Sequence, residues 1–421
     1  MHYFLQVVYT TMQAISFAVF QPWFFIILYL MYWMYKKNQE IEVQSVFLVK
    51  TKVYEKMVQS TLSGILVGIG LSIILIYFGI PMHFSAHMAF LLPIALLLAL
   101  FNFRYLCFSY AGGILGIISL IFRGQKIFTY VVPNINLDIP SIIALVGVLH
   151  LMEAWLVFLE GAADSIPIVI QKDNKVAAAY MMQRFWPLPF TLLIMDFVTA
   201  VPQQGLIETP NWWPVLKNII ESPSPATILI YSVIPITAVL GYGDIAVSTE
   251  PEKKSRKTAI LLVFYSLTLI IIAIMSPQRL WLQFLGVILM PLLHEVLIVG
   301  SQRKERLSEP LYTYSDKGVR IHELKPEGVA EKIGMKRGDI IVKINGIEIE
   351  NDRHMQAILN NYYTFLWFDV ISVYGEKKYF EYKAYPDGIN DIGIIPLMKY
   401  HIRVYRLENM ENVGLFRMIK K

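Results

Sequence analysis

Two acid–base pairs lie inside strongly apolar sequence: His294-Glu295 in "PLLHEVLIVG", and His150 with Glu153 in "HLMEAWLVFLEG". Histidine and glutamate together are the residues of zinc hydrolysis. One helix supplies that chemistry as His-Glu-x-x-His, because imidazoles four residues apart share a face and the glutamate stands beside the metal-bound water. Here Ile298 occupies the place of the second histidine, and the His150 helix offers Ala154 where it would need another ligand. The zinc motif is incomplete, so no catalytic residue, metal or cofactor is expected. "HFSAH", with His83 and His87, has the i, i+4 spacing but no third ligand nearby.

A second stretch suggests different chemistry. Gly241-Tyr242-Gly243-Asp244 matches part of a potassium selectivity filter, whose carbonyls line a pore at its extracellular mouth. The preceding residues are Val239-Leu240, without the filter threonine, and the stretch runs into the basic "IAVSTEPEKKSRK". A turn or helix break where a span leaves the membrane is the expectation instead. The remaining ionisable residues in apolar runs, Glu160 and Asp196, join His150, Glu153, Asp244, His294 and Glu295 as groups that must face a bundle interior. His150 and Glu153, three apart, can pair. Helix-to-helix hydrogen bonding is the reading adopted, and a transport or proton pathway is the alternative.

These residues need elements to hold them, and the composition names the medium. With 56% hydrophobic and 16% charged residues over 421 positions the chain reads as polytopic and membrane-bound, as does its mean hydropathy of +0.51. About nine apolar runs qualify as transmembrane helices, near 15–35, 61–79, 87–103, 105–122, 140–160, 187–203, 225–247, 258–276 and 280–300; eight or ten are also compatible. The first twenty residues lack Lys and Arg, which predicts a retained membrane segment over a cleaved signal. The single cysteine, Cys107, excludes an intramolecular disulfide framework. Alternate connections are basic: Lys36, Lys37, Lys50, Lys52 and Lys56; Arg104; Lys172, Lys175 and Arg184; Lys253, Lys254, Arg256 and Lys257; Arg303, Lys304 and Arg306. Basic loops stay cytoplasmic, which puts the N-terminus outside and everything after residue 301 in the cytoplasm. A net charge of +5 suits a membrane surface and is too diffuse for nucleic acid.

Beyond residue 305 the pattern changes to short alternating segments. Val319-Arg320-Ile321 predicts a strand, Val329 to Ile333 a helical turn stopped by Gly334, and Ile340 to Ile344 a strand leading through Asn345-Gly346 into a hairpin. Asn351 or Asp352 can cap a helix to about Tyr362, followed by a closing hairpin in "WFDVISVYGEKKYFEYKAY". This order, and the run "AEKIGMKRGDIIVKING", resembles a PDZ domain of the bacterial type. The resemblance implies capture of an extended peptide by strand addition. It further implies a carboxylate-binding loop at Lys317, Gly318 and Val319, an edge strand at Val319, Arg320 and Ile321, and Met355 and Leu359 on the helix side of the groove. The domain organisation expected is 1–305 transmembrane helices, 306–398 PDZ and 399–421 a C-terminal extension.

The stretches "HLMEAWLVFLEGAADSIPI", "QRFWPLPF", "LGYGDIAVSTEPEKKSR" and "PLLHEVLIVGSQRKERLSEPLY", followed by one PDZ domain, are similar to the MinJ-like multi-pass PDZ membrane proteins of Gram-positive bacteria. That resemblance implies a non-enzymatic adaptor of cell division at the plasma membrane, enriched at septum and poles, which links a DivIVA-like landmark to a MinD-like protein. Site-2 metalloproteases also combine membrane helices, zinc and PDZ modules, so a site-2-like enzyme or regulator of proteolysis is the alternative, and a transporter the third.

Overall fold

The computed structural model describes residues 3–46, 52–83, 90–122, 126–127, 130–131, 137–199, 207–217, 227–399 and 404–406. His87, Lys50 and most of the 399–421 extension lie outside them.

The chain opens with two helices, α1 (Tyr3–Phe20) and α2 (Pro22–Val46), broken at Gln21 because proline starts helices and does not continue them. Then α3 (Val53–Phe78) ends on left-handed Gly79, and a short strand β1 (Pro81–His83) follows. Two shorter apolar helices, α4 (Leu91–Phe101) and α5 (Phe108–Phe122), precede a two-residue ladder of β2 (Lys126–Ile127) and β3 (Tyr130–Val131). Asp138 caps α6 (Ile139–Glu160) by accepting the Ser141 N–H. Three strands, β4 (Ile166–Lys172), β5 (Lys175–Val198) and β6 (Ile228–Ala246), lead to α7 (Pro251–Met275) and α8 (Leu280–Leu307). Among the described residues five helices, α1, α3, α6, α7 and α8, are long and apolar enough to cross a membrane. The membrane half is therefore helical in the main, with a core of residues such as Leu71, Ile143, Leu188, Leu269 and Val287.

The runs at 187–203 and 225–247, expected as helices, are strands where described. β5 and β6 pair antiparallel without a break from Tyr180↔Ala246 to Val198↔Ile228. The physical reason is proline. Pro187, Pro189 and Pro235 would each remove a helical hydrogen bond and clash with the preceding turn, at a cost of about 3 kcal/mol or more apiece. Apolar content alone does not separate a buried strand from a membrane helix. Gly241-Tyr242-Gly243-Asp244, expected as a turn or helix break, lies within β6 and faces Phe185 to Met182 of β5.

A strand edge in an apolar medium must have every N–H and C=O accounted for. β5 is covered by β4 from residue 175 to 181 and by β1 from 193 to 195, which leaves the edge between them. α3 closes it. Tyr35 of α2 supplies its hydroxyl both to the Phe185 N–H and to the Phe185 carbonyl, each at 3.1 Å, and is joined to Ser60 at 2.9 Å. Pro187 and Pro189 have no N–H, and their carbonyls lie against Gly64 and Gly68, where any Cβ would collide. The Thr191 N–H is accepted by Ser72 Oγ at 2.9 Å. The register works because four helical residues rise about 6.0 Å and two strand residues about 6.6 Å. Ser60, Gly64, Gly68 and Ser72 thus keep step with Phe185, Pro187, Pro189 and Thr191.

The C-terminal unit contains β7 (Val319–Leu324), the single turn α9 (Val329–Lys332), β8 (Ile340–Ile344), β9 (Ile347–Glu348), α10 (Asp352–Leu359), β10 (Phe365–Ile371), β11 (Lys377–Lys383) and β12 (Ile394–Pro396). Its sheet runs β11-β10-β8-β7-β12, with β9 on β8. Ile321, Ile341, Ile344, Leu359, Leu366 and Phe368 fill the core. A last strand, β13 (Val404–Arg406), returns to pair parallel with β4 of the membrane half.

Candidate peptide-binding groove

The expected edge strand is not an edge. β7 has β8 on one side, with Val319 opposite Ile341, and β12 on the other, with Ile394 opposite Leu324. The Lys325 N–H donates to the Gly393 carbonyl at 2.8 Å, and the Leu397 N–H to the Arg320 carbonyl at 2.9 Å. Lys317, Gly318 and Val319 likewise form no open carboxylate loop. Gly318, at φ 76°, turns the chain so tightly onto β8 that a side chain there would strike the Ile341 carbonyl. Val319, Arg320 and Ile321 are therefore an interior strand, because a segment some seventy residues downstream supplies the outer one.

That outer strand, β12, makes the groove. Ile394 forms a non-hydrogen-bonded pair with Leu324, so its N–H and C=O point to the open edge. A cavity of about 310 Å³ lies between β12 and α10, with Met355 and Leu359 on the helix side as expected and Ile392, Ile394, Pro396 and Met398 on the strand side. Asn351 fixes the start of α10 by accepting the His354 N–H at 2.9 Å. Gln356 donates from α10 to the Asn390 carbonyl at 3.0 Å and closes one end. At the head of β12, Asp391 accepts the Gly393 N–H at 2.8 Å and pairs with Lys325 at 2.5 Å. Burial pushes the Asp391 carboxyl up, but Lys325 and the Gly393 N–H outweigh it and hold it below the usual aspartate range. Gly393, at φ 77°, is required, since a Cβ would stand 2.7 Å from Gly328 Cα. An apolar floor beside one open strand edge suits an extended peptide. Sequence reasoning missed Ile392, Ile394, Pro396, Gln356 and Met398; "DIGIIP" carries an alternation of apolar and small residues but no motif long enough to announce a strand.

The groove does not swing on a free linker. Tyr180 of β5 donates to the His322 carbonyl of β7 at 2.6 Å. Arg337 bridges Glu323 of β7 at 2.7 Å and Glu252 of α7 at 3.0 Å, and its guanidinium lies 5.3 Å over the Tyr180 ring. Burial works against the Arg337 charge, but Glu323 outweighs it and raises the guanidinium further. Leu397, one residue after β12, packs with Tyr180, Trp186, Leu156 and Tyr312.

Asp196, expected to face a bundle interior, is instead exposed near the end of β5, where it accepts the Phe197 N–H at 2.8 Å; the other polar residues in apolar runs have partners inside the fold. Asp244 pairs with Lys254 at 2.8 Å, and Glu160 with Arg184 at 3.0 Å. Glu295 takes the Tyr110 hydroxyl proton at 2.6 Å and pairs with Arg104 at 2.8 Å. His294 lies 3.2 Å from that same hydroxyl. His150 sits 3.8 Å from Glu153 and 3.2 Å from Cys107 Sγ, a contact the sequence could not show.

A six-strand sheet flanked by a short helix and the α10 groove defines a PDZ domain, and the family model for a PDZ domain matches residues 320–360. The longer similarity is to the cell division topological determinant MinJ of Bacillus subtilis (strain 168), with 24% identity over 259 residues. The match covers 61% of this chain and 61% of the relative, so the chain spans under two thirds of the curated protein it matches. Apolar helices, a PDZ domain and this similarity together describe a MinJ-like membrane protein.

Proposed function

We propose that the protein is a non-enzymatic adaptor of cell-division site placement, held in the plasma membrane by its helical half and recruiting a cytoplasmic partner by strand addition to β12. The observation that carries this is the groove itself: an open strand edge beside Met355 and Leu359, in a PDZ domain locked to the membrane half through Arg337 and Tyr180. The basic connections favour a multi-pass arrangement with the PDZ in the cytoplasm. The similarity to a cell division topological determinant supports a role at the division site; enrichment at septum and poles, and a bridge between DivIVA-like and MinD-like proteins, are the finer parts of this proposal. Against chemistry at the His294-Glu295 pair, Glu295 is already engaged by Arg104 and Tyr110.

The test is a crosslinking pull-down from native membranes, comparing intact protein with Gln356→Trp combined with Met398→Asp. Both side chains line the groove, and Gln356 is exposed. Capture of division proteins by the intact form and loss with the filled groove is expected. Retention by the filled form would move recruitment to another surface.

A further inference from the structure

We propose that Cys107, His150, Glu153 and His294 form a binding site for a borderline divalent d-block cation, zinc being the probe of choice, inside the membrane half. The residues come from three elements: Cys107 leads into α5, His150 and Glu153 stand on α6, and His294 on α8. Ligand atoms of Cys107, His150 and His294 all lie within 4.8 Å of one another. Cys107 Sγ is 3.2 Å from His150 Nε2, which is 3.8 Å from Glu153 Oε2. Two ligands sharing a tetrahedral zinc ion stand about 3.3–3.7 Å apart, given bonds of about 2.0–2.3 Å. The trio is therefore close to coordination distance, and Glu153, 3.8 Å from His150 Nε2, moves in to complete the shell.

The surrounding hydrogen bonds put the lone pairs in the right place. His150 Nδ1 lies 2.8 Å from the Val146 carbonyl, which can only accept, so Nδ1 carries the proton and Nε2 faces Cys107 bare. Tyr110 gives its own proton to Glu295, so its oxygen accepts from His294 Nδ1 and leaves His294 Nε2 unprotonated. Charge points the same way. A divalent cation, a thiolate and the Glu153 carboxylate sum to zero, and a neutral assembly is what a low-dielectric interior accepts. The site would clasp α6 to α8 and to the start of α5, with four protein ligands closing the shell as structural zinc sites do. It is independent of the PDZ groove, and the one-helix motif that the sequence lacks is not what builds it.

Full-length protein purified in detergent without chelator tests this. About one zinc ion per chain after loading and desalting is expected, with a rise in thermal stability that chelator reverses. Cobalt loading should give a thiolate-to-metal charge-transfer band together with tetrahedral d–d absorption. Cys107→Ser should abolish the charge-transfer band. Should that variant not fold, His294→Gln read by the loss of one nitrogen ligand serves in its place. Zinc far below one per chain in folded wild type, or a cobalt spectrum that neither substitution alters, overturns the proposal.

Discussion

The Ser72 hydroxyl accepts the Thr191 main-chain N–H at 2.9 Å and donates its own proton to the Gly68 carbonyl at 2.7 Å, so one side chain serves a strand and a helix at once. Ser72→Ala leaves the Thr191 N–H buried without an acceptor. A loss of about 1–3 kcal/mol is expected in denaturant unfolding in detergent micelles. An unchanged midpoint would show that Thr191 finds another acceptor there.

Gly68 meets the Pro189 carbonyl directly, whereas Gly70, two residues on, has nothing within 4 Å of a built Cβ. Gly68→Val should cost more than about 3 kcal/mol, since the clash is with backbone that cannot rotate away. Gly70→Ala should be neutral or stabilising by up to about 1 kcal/mol, because alanine restricts the unfolded chain. The two melting curves, measured side by side, separate crowding from helix propensity.

Glu323 is 2% exposed and depends on Arg337. Arg337→Ala removes the cation beside that carboxylate, leaving it the Leu324 N–H at 3.0 Å, and also cuts the tie to Glu252, so a loss of about 3 kcal/mol is expected. Limited proteolysis should show earlier cleavage near residues 308–318 as the PDZ domain separates from the sheet. Equal cleavage rates in wild type and variant would sink the idea that Arg337 docks the domain.

The Asp391–Lys325 pair predicts a pH signature. The folded-state carboxyl titrates below its ordinary value, so its contribution is present above about pH 3.9 and is lost as pH falls through the lower folded-state value. With the Asp391 side chain 56% exposed, Asp391→Asn should cost no more than about 1 kcal/mol at neutral pH. Wild type and variant should converge toward pH 3; a difference that persists there refers to the Gly393 cap and not to the charge.

The PDZ half was legible because its signals are local. Asn345-Gly346 forms the β8–β9 turn, and Asn351 caps α10 as its residue type requires. The groove strand was not, because β12 is three residues long and pairs with a partner seventy positions earlier. In the membrane half hydropathy found the apolar runs but could not tell strand from helix. Pro187 and Pro189, two apart, were the signal: alternate prolines remove donors from one edge only, which has meaning in a strand and none in a helix. Cys107 near His150 joins residues 43 apart, one just before α5 and one on α6, a proximity that no spacing rule encodes.

Leu397 follows β12 directly and is seated among Tyr180 and Trp186 of the membrane half, while Asp391 at the head of the same strand is clipped to Lys325. The strand offered to a partner is thus held at both ends like a string between two pegs, one peg in each half of the molecule. In the proposed adaptor role a tug on a captured peptide would pass to β5 and α3 without first drawing out slack, which would make the groove a mechanical coupling as well as an address.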